Sequence, residues 1–297
     1  MALLISCETA GNQSVDQIEG LNASEQNPSA GSYQHCRRLC ELQQRPGVAD
    51  CQDGEIAKQL ADALSAPLIR HDYPLCLIDV TLPVGHRNLF GVPGCCDLPD
   101  PQDGLVPEFH DPLAQDFNAL SSVAFGKDVQ HGSMHGSQEP VDQTWSPQQQ
   151  AFLIQSIYQS YRQRLESQLR ALIDNDSPVL HLSVRTFPGK RNGEPYRTDV
   201  GLLYDTKRAL ESALCYDWVY ECYEETINLK LRRNYPRRGS AESITKAMRR
   251  LFGEQQYLGV EVWLNQSWAG RDSVRRQEAL AALGTSLQAV WQAYYSV

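Results

Sequence analysis

Short apolar runs alternate with stretches of helical period along most of this chain. The runs fall at 3–6, 67–70, 75–80, 179–184, 200–204, 228–232 and 257–264. They are rich in Leu, Ile and Val and flanked by Gly, Pro, Asn, Asp or Ser, which predicts buried strands. Between them, Ile56, Ala57, Leu60 and Leu64 share one helical face behind Asp53, an N-cap residue by type. Ser146-Pro147-Gln148-Gln149 reads as a capped helix start. Ile154, Ile157, Tyr158, Tyr161, Leu165, Leu169 and Leu172 then carry an amphipathic helix of about seven turns. Further helices are predicted at 207–225, with Trp218 and Cys222 inward, at 241–252, and through Leu280, Leu283, Leu287, Val290 and Tyr294. Strands alternating with helices predict an α/β fold, a largely parallel mixed sheet covered by helices on both faces.

The run at 179–184 carries polar groups where a central strand has least room for them. Alternate residues of a strand share a face, so His181, Ser183 and Arg185 point the same way. Such groups need partners or a cavity. In parallel sheets ligands gather at the C-terminal ends of strands, where Glu8, Arg185 and Glu261 all fall.

The net charge of −9 argues against a general nucleic-acid binder. No apolar run approaches the roughly 18–20 residues that span a bilayer. The opening MALLIS lacks a basic leader region and reads as a first strand, so the expected location is cytoplasmic and soluble, with no membrane partner. Nine cysteines, an odd number in a long chain, suggest reduced thiols. His35-Cys36-x3-Cys40 with Cys51 beyond has two readings: a zinc cluster, or apolar fillers one helical turn apart. Residues 91–144 concentrate Pro and Gly with His110, His131 and His135, and read as a long irregular insert rather than a metal site.

HLSV-x-TF (181–187), GLLYD (201–205), RRNYP-x-RGSA (232–241) and YLGVEV-x-LNQ (257–266) occur in order. LLISCE-x-AGN (3–12), LIDV (77–80) and GHRNLF (85–90) extend the series. Together these blocks resemble the N-formylglutamate amidohydrolase family over most of the chain. The resemblance implies one domain across 1–297, with an insert at about 91–144, in a three-layer architecture similar to zinc exopeptidases. It implies zinc-dependent hydrolysis of a non-peptide C–N amide bond. On this reading Glu261 is the catalytic base, Glu8 and His181 are metal ligands, and Arg185, Arg232, Arg233, Asn234 and Asn265 bind substrate.

The chain also departs from the family pattern. The family's Cys-Glu-His loop is here Cys7-Glu8-Thr9, and the histidine near the end of the central strand is Arg185. Two arginines and an asparagine of another block are Leu75, Leu82 and Thr81; the second glutamate of Glu-x-Glu is Trp263, and Arg237 stands for a tyrosine. A guanidinium offers a metal no lone pair. Two functional readings follow. One is an amide hydrolase with a remodelled metal site of Glu8, His181 and Glu261. The other is a pseudoenzyme without zinc that binds a small carboxylate-bearing molecule through Arg185, Arg232 and Arg237. In the second, Arg185 replaces the metal's charge, and one of its nitrogens is expected within salt-bridge distance of Glu8 or Glu261. His181 is then a hydrogen-bonded core residue. Asp199 and Asp205 read either as turn caps or as site residues.

Overall fold

The first strand, β1 (Ala2–Cys7), follows directly from the opening apolar run, and its residues are almost entirely buried. This computed structural model describes residues 2–9, 11, 53–75, 77–90, 145–173, 178–191, 194–225, 229–270 and 273–295. The cysteines at 36, 40 and 51 and the insert at 91–144 lie outside the described residues.

After β1 come α1 (Asp53–Leu64) and β2 (Leu68–Arg70). α2 (Pro147–Leu153) passes through a wide π-helical turn, Ile154–Gln159, into α3 (Ser160–Ile173). Ser146 and Gln149 form the predicted reciprocal capping box at its start. β3 (Val179–Phe187) is the central strand, followed by a small hairpin of β4 (Lys190–Arg191) and β5 (Glu194–Pro195). Then come β6 (Val200–Leu203), α4 (Ala209–Glu225), β7 (Leu231–Arg233) and α5 (Ile244–Leu251). β8 (Tyr257–Asn265), α6 (Gln266–Ala269) and α7 (Ser273–Tyr295) complete the order.

The main sheet runs β2-β1-β3-β8-β6-β7. Its first four strands are mutually parallel, whereas β6 pairs antiparallel with β8 and β7 follows β6. Only the short hairpin, with no helix, lies between β3 and β6. Without a helical crossover the chain is not carried back to the starting end, so β6 returns the other way.

Strand alternation sorts the core into two layers. Leu180, Leu182 and Val184 pack with Ile56, Leu60, Trp218, Leu283 and Leu287 on one face. Leu4, Val179 and Tyr257 pack with Ile157, Tyr161, Leu165, Leu169 and Met248 on the other. Helices on both sides make three layers, as the pattern predicted.

Among the described residues of 75–80 the expected strand does not form. Leu75, Leu77, Ile78 and Val80 are buried, but their backbone makes turns: Leu77 N–H donates to Pro74 C=O and Asp79 N–H to Leu89 C=O. Burial, not a ladder, put apolar residues there. Asp53 is likewise not a cap of its own helix. Among the described residues its carboxylate bonds Thr9 and Thr186 instead.

One buried ion pair ties α4, α5 and β8 together. Arg249 Nε donates to both oxygens of the fully buried Glu211 at 3.0 and 3.1 Å. Its other nitrogens donate to the carbonyls of Gly239 and Gly259. Glu211 also accepts from the backbone N–H of Gly259 and Asp205. All three nitrogens of Arg249 and both oxygens of Glu211 are engaged, as burial of charge requires.

Candidate functional site

The sheet register sets a row of chemically capable side chains across the C-terminal ends of the parallel strands. Arg185 is paired with Trp263, Trp263 with Gly201, and Gly201 with Arg232. Ser6 pairs with Ser183 and Cys7 with Arg70. Continued past the last paired residues, that register puts Glu8 opposite Arg185 and His71 opposite Glu8. His71, Glu8, Arg185, Trp263 and Arg232 thus share one face at one edge. The next row inward holds Ser6, Ser183 and Glu261.

Glu8 leans back into this second row. Its Oε1 accepts from Ser6 Oγ at 2.6 Å and from Tyr161 Oη at 2.7 Å, and its Oε2 from Ser183 Oγ at 2.7 Å. Burial, with Glu8 beside it, pushes the Tyr161 phenol well above its usual range. Ser6 gives its only proton to Glu8, so the 2.7 Å contact between Ser6 Oγ and His181 Nε2 has the imidazole donating. Nδ1 is then the acceptor, and Tyr257 Oη donates to it at 2.7 Å. Tyr257 reaches His181 by lying across Gly259, where a Cβ would fall 2.8 Å from the phenol. Burial, and secondarily the charge of Arg249, lowers His181 to about 3. His181 is a buried neutral relay between two hydroxyls.

Glu261 is equally enclosed. Thr245 Oγ1 donates to its Oε1 and Trp263 Nε1 to its Oε2, each at 3.0 Å. With both carboxylates already satisfied, Arg185 pairs with neither; among the described residues no ion pair joins it to Glu8 or Glu261. The expected salt bridge is replaced by a stack. The guanidinium lies 4.6 Å from the centre of the Trp263 ring. A planar, weakly hydrated cation at a half-buried rim suits an indole face. Two of the positions where this chain departs from the resembled pattern, Arg185 and Trp263, are therefore register partners in contact. Arg237 adds a second guanidinium 5.8 Å from the same ring.

The remaining candidates are dispersed. Arg232 and Arg233 point to opposite faces, over Tyr235 and Tyr216 respectively. Asn234 Oδ1 accepts from Tyr204 N–H and Gly239 N–H, and its φ of 51° forms the bend after β7. Asn265 donates to Thr198 C=O and caps Ser267 N–H. Asp205 Oδ1 accepts from Lys207 N–H as a turn cap, whereas Asp199 Oδ2 accepts from the distant Lys230 N–H and ties the start of β6 to the segment before β7.

Sequence reasoning passed over Ser6, His71, Tyr161 and Tyr257 as site residues. Ser6 was legible, standing two residues before Glu8 on the same face; the tyrosines come from the covering helix and from β8, which sequence order does not bring together. His71 is buried beside the backbone of Tyr73 and Glu8, and burial lowers it to about 4. Asp53 is also buried. Its Oδ2 accepts from Thr9 Oγ1 and Thr186 N–H, while Oδ1 has no partner among the described residues.

The donor set at this edge does not fit zinc. Both nitrogens of His181 and both oxygens of Glu8 are engaged, Thr9 is turned to Asp53, and Arg185 offers no lone pair. Among the described residues no three His, Cys, Asp or Glu side chains converge to hold an ion.

No family model matches this chain, and no curated protein matches it. Solved structures do match it, among them the following two. Gene product Atu2144 from Agrobacterium tumefaciens superposes with a TM-score of 0.61 at 14% identity, covering 99% of this chain and 91% of that one. N-formylglutamate amidohydrolase from Ralstonia eutropha JMP134 gives a TM-score of 0.57 at 14% identity, covering 100% and 95%. The fold is similar to that of an N-formylglutamate amidohydrolase. At this identity the likeness is one of architecture, and it agrees with the ordered sequence blocks. No helix among the described residues is long and apolar enough to cross a membrane.

Proposed function

We propose that this chain is a divergent relative of the N-formylglutamate amidohydrolases whose strand-end site binds a small carboxylate-bearing molecule rather than hydrolysing an amide through a metal. One observation carries the reading: Arg185 and Trp263, both departures from the family pattern, pair in register and stack. The stack orients a half-buried guanidinium that among the described residues has no carboxylate partner, and whose Nε is buried without a hydrogen bond. A carboxylate held bidentately by arginine needs no metal. Ordered motifs and shared architecture support the ancestry; the enclosed Glu8, His181 and Glu261 support the loss of the older chemistry.

The test is formate release from N-formyl-L-glutamate by the purified chain, with and without added zinc. The expected result is no release above the uncatalysed rate in either case. Release that depends on zinc and stops with a chelator would return the protein to the hydrolases. The triple change Thr9→His, Arg185→His and Trp263→Glu should gain zinc affinity where the wild type has none.

A further inference from the structure

Past Arg185 the same face of β3 turns aromatic. Phe187 stands two residues on, about 6.6 Å along the strand, and shares that face. With Leu203 and Trp263 it forms a small apolar cluster apart from the two main core layers, and Tyr196 packs against it. Asn265, the register partner of Phe187, donates Nδ2 to Thr198 C=O, so the segment after the β4–β5 hairpin lies over this strand end. There the Tyr196 ring meets Phe187 edge-on at 5.4 Å and Tyr235 at 5.8 Å. Phe187, Leu203 and Trp263 are buried, whereas Arg185, Tyr196 and Tyr235 are half-buried. Of the two guanidiniums at the Trp263 ring, Arg237 is buried and gives Nη2 to Glu242 C=O, which leaves Arg185 as the one that reaches solvent.

One cation beside aromatic surface suits a ligand that carries a single acid group on an apolar ring. A second carboxylate set against these tyrosines would lose hydration. We infer that the ligand of this edge is an aromatic monocarboxylate, with its carboxylate on Arg185 and its ring against Tyr196. This rests on the carboxylate-binding reading of Arg185 and narrows it. Ring contacts of this kind, added to the area they bury, are worth about tenfold or more in affinity.

The experiment titrates the full chain by calorimetry with acids that share one linker and differ at its far end. These are 3-phenylpropionate, 3-cyclohexylpropionate, butyrate and succinate, ending in an aromatic ring, a saturated ring, a methyl and a second carboxylate. The phenyl acid binding at least about tenfold tighter than butyrate and succinate, and tighter than the cyclohexyl acid, supports the inference. Succinate or butyrate binding equally or better would overturn it while leaving carboxylate recognition intact, as would a cyclohexyl acid equal to the phenyl one. No binding by any of the four overturns both readings. Tyr196→Ala should bring the phenyl acid down to the level of butyrate, and Arg185→Gln should weaken every acid that binds. If Tyr196→Ala does not fold, the four acids on the wild-type chain still decide.

Discussion

The Arg185 guanidinium lies 4.6 Å from the centre of the Trp263 ring, and the indole N–H of that ring donates to Glu261 at 3.0 Å. One side chain therefore supports a cation with its face and a buried carboxylate with its edge. Trp263→Phe keeps the face and removes the donor, and should destabilise by about 1–3 kcal/mol through Glu261. Trp263→Ala removes both and should lose about 3–5 kcal/mol. Urea denaturation of the two variants separates the contributions; a phenylalanine variant as stable as wild type would mean Glu261 does not depend on that N–H.

Acid should weaken the fold through two histidines. Burial lowers His181 to about 3 and His71 to about 4, against an ordinary value near 6.5. Below about pH 6.5 the unfolded chain takes up a proton on each that the folded chain refuses. Stability from these groups is thus complete above that pH and falls until the folded values are reached. Each adds about 1.4 kcal/mol per pH unit to the slope within its window. Denaturation at a series of pH values should show His71→Phe with a shallower loss between pH 6 and 4 than wild type, and an unchanged slope would count against a neutral buried His71.

Glu211→Gln should be among the most damaging single changes. It leaves Arg249, which is buried with it, facing a neutral amide instead of a carboxylate. Breaking one side of such a pair loses about 3–5 kcal/mol. Melting temperature and expression in soluble form report it, and Arg250→Gln, on an exposed pair with Glu242, is the control that should be nearly neutral.

Gly259→Ala tests the relay. The new methyl would fall 2.8 Å from the Tyr257 ring and 3.1 Å from Thr245 Cβ, so the phenol must shift off His181. Overpacking of this kind loses about 1–3 kcal/mol. The NMR signals of the His181 ring nitrogens should change as they do in Tyr257→Phe. If they stay put, the methyl has been accommodated elsewhere.

Much of the fold was legible because one force wrote both the pattern and the structure. The strands at 3–6, 179–184 and 257–264 and the long capped helix show their buried faces as periodicity. The run at 75–80 misled because turns also bury leucine. The direction of β6 was implicit in the absence of a helix after β3, a matter of connection rather than of period. The site was half legible: Glu8, His181, Arg185 and Glu261 do line one face. Their partners were not, since a list of charges does not say that hydroxyls from Ser6, Ser183, Tyr161 and Thr245 have already claimed the carboxylates.

The wide turn at Ile154–Gln159 sets the azimuth of every residue after it in α3. One residue advances a helix by about 100°. Deleting a single position there, with no change to the sheet, would swing Tyr161 away from Glu8 and point a different side chain at the carboxylate. The character of this edge is thus held partly by chain length in a covering helix, a trait that substitution alone does not probe.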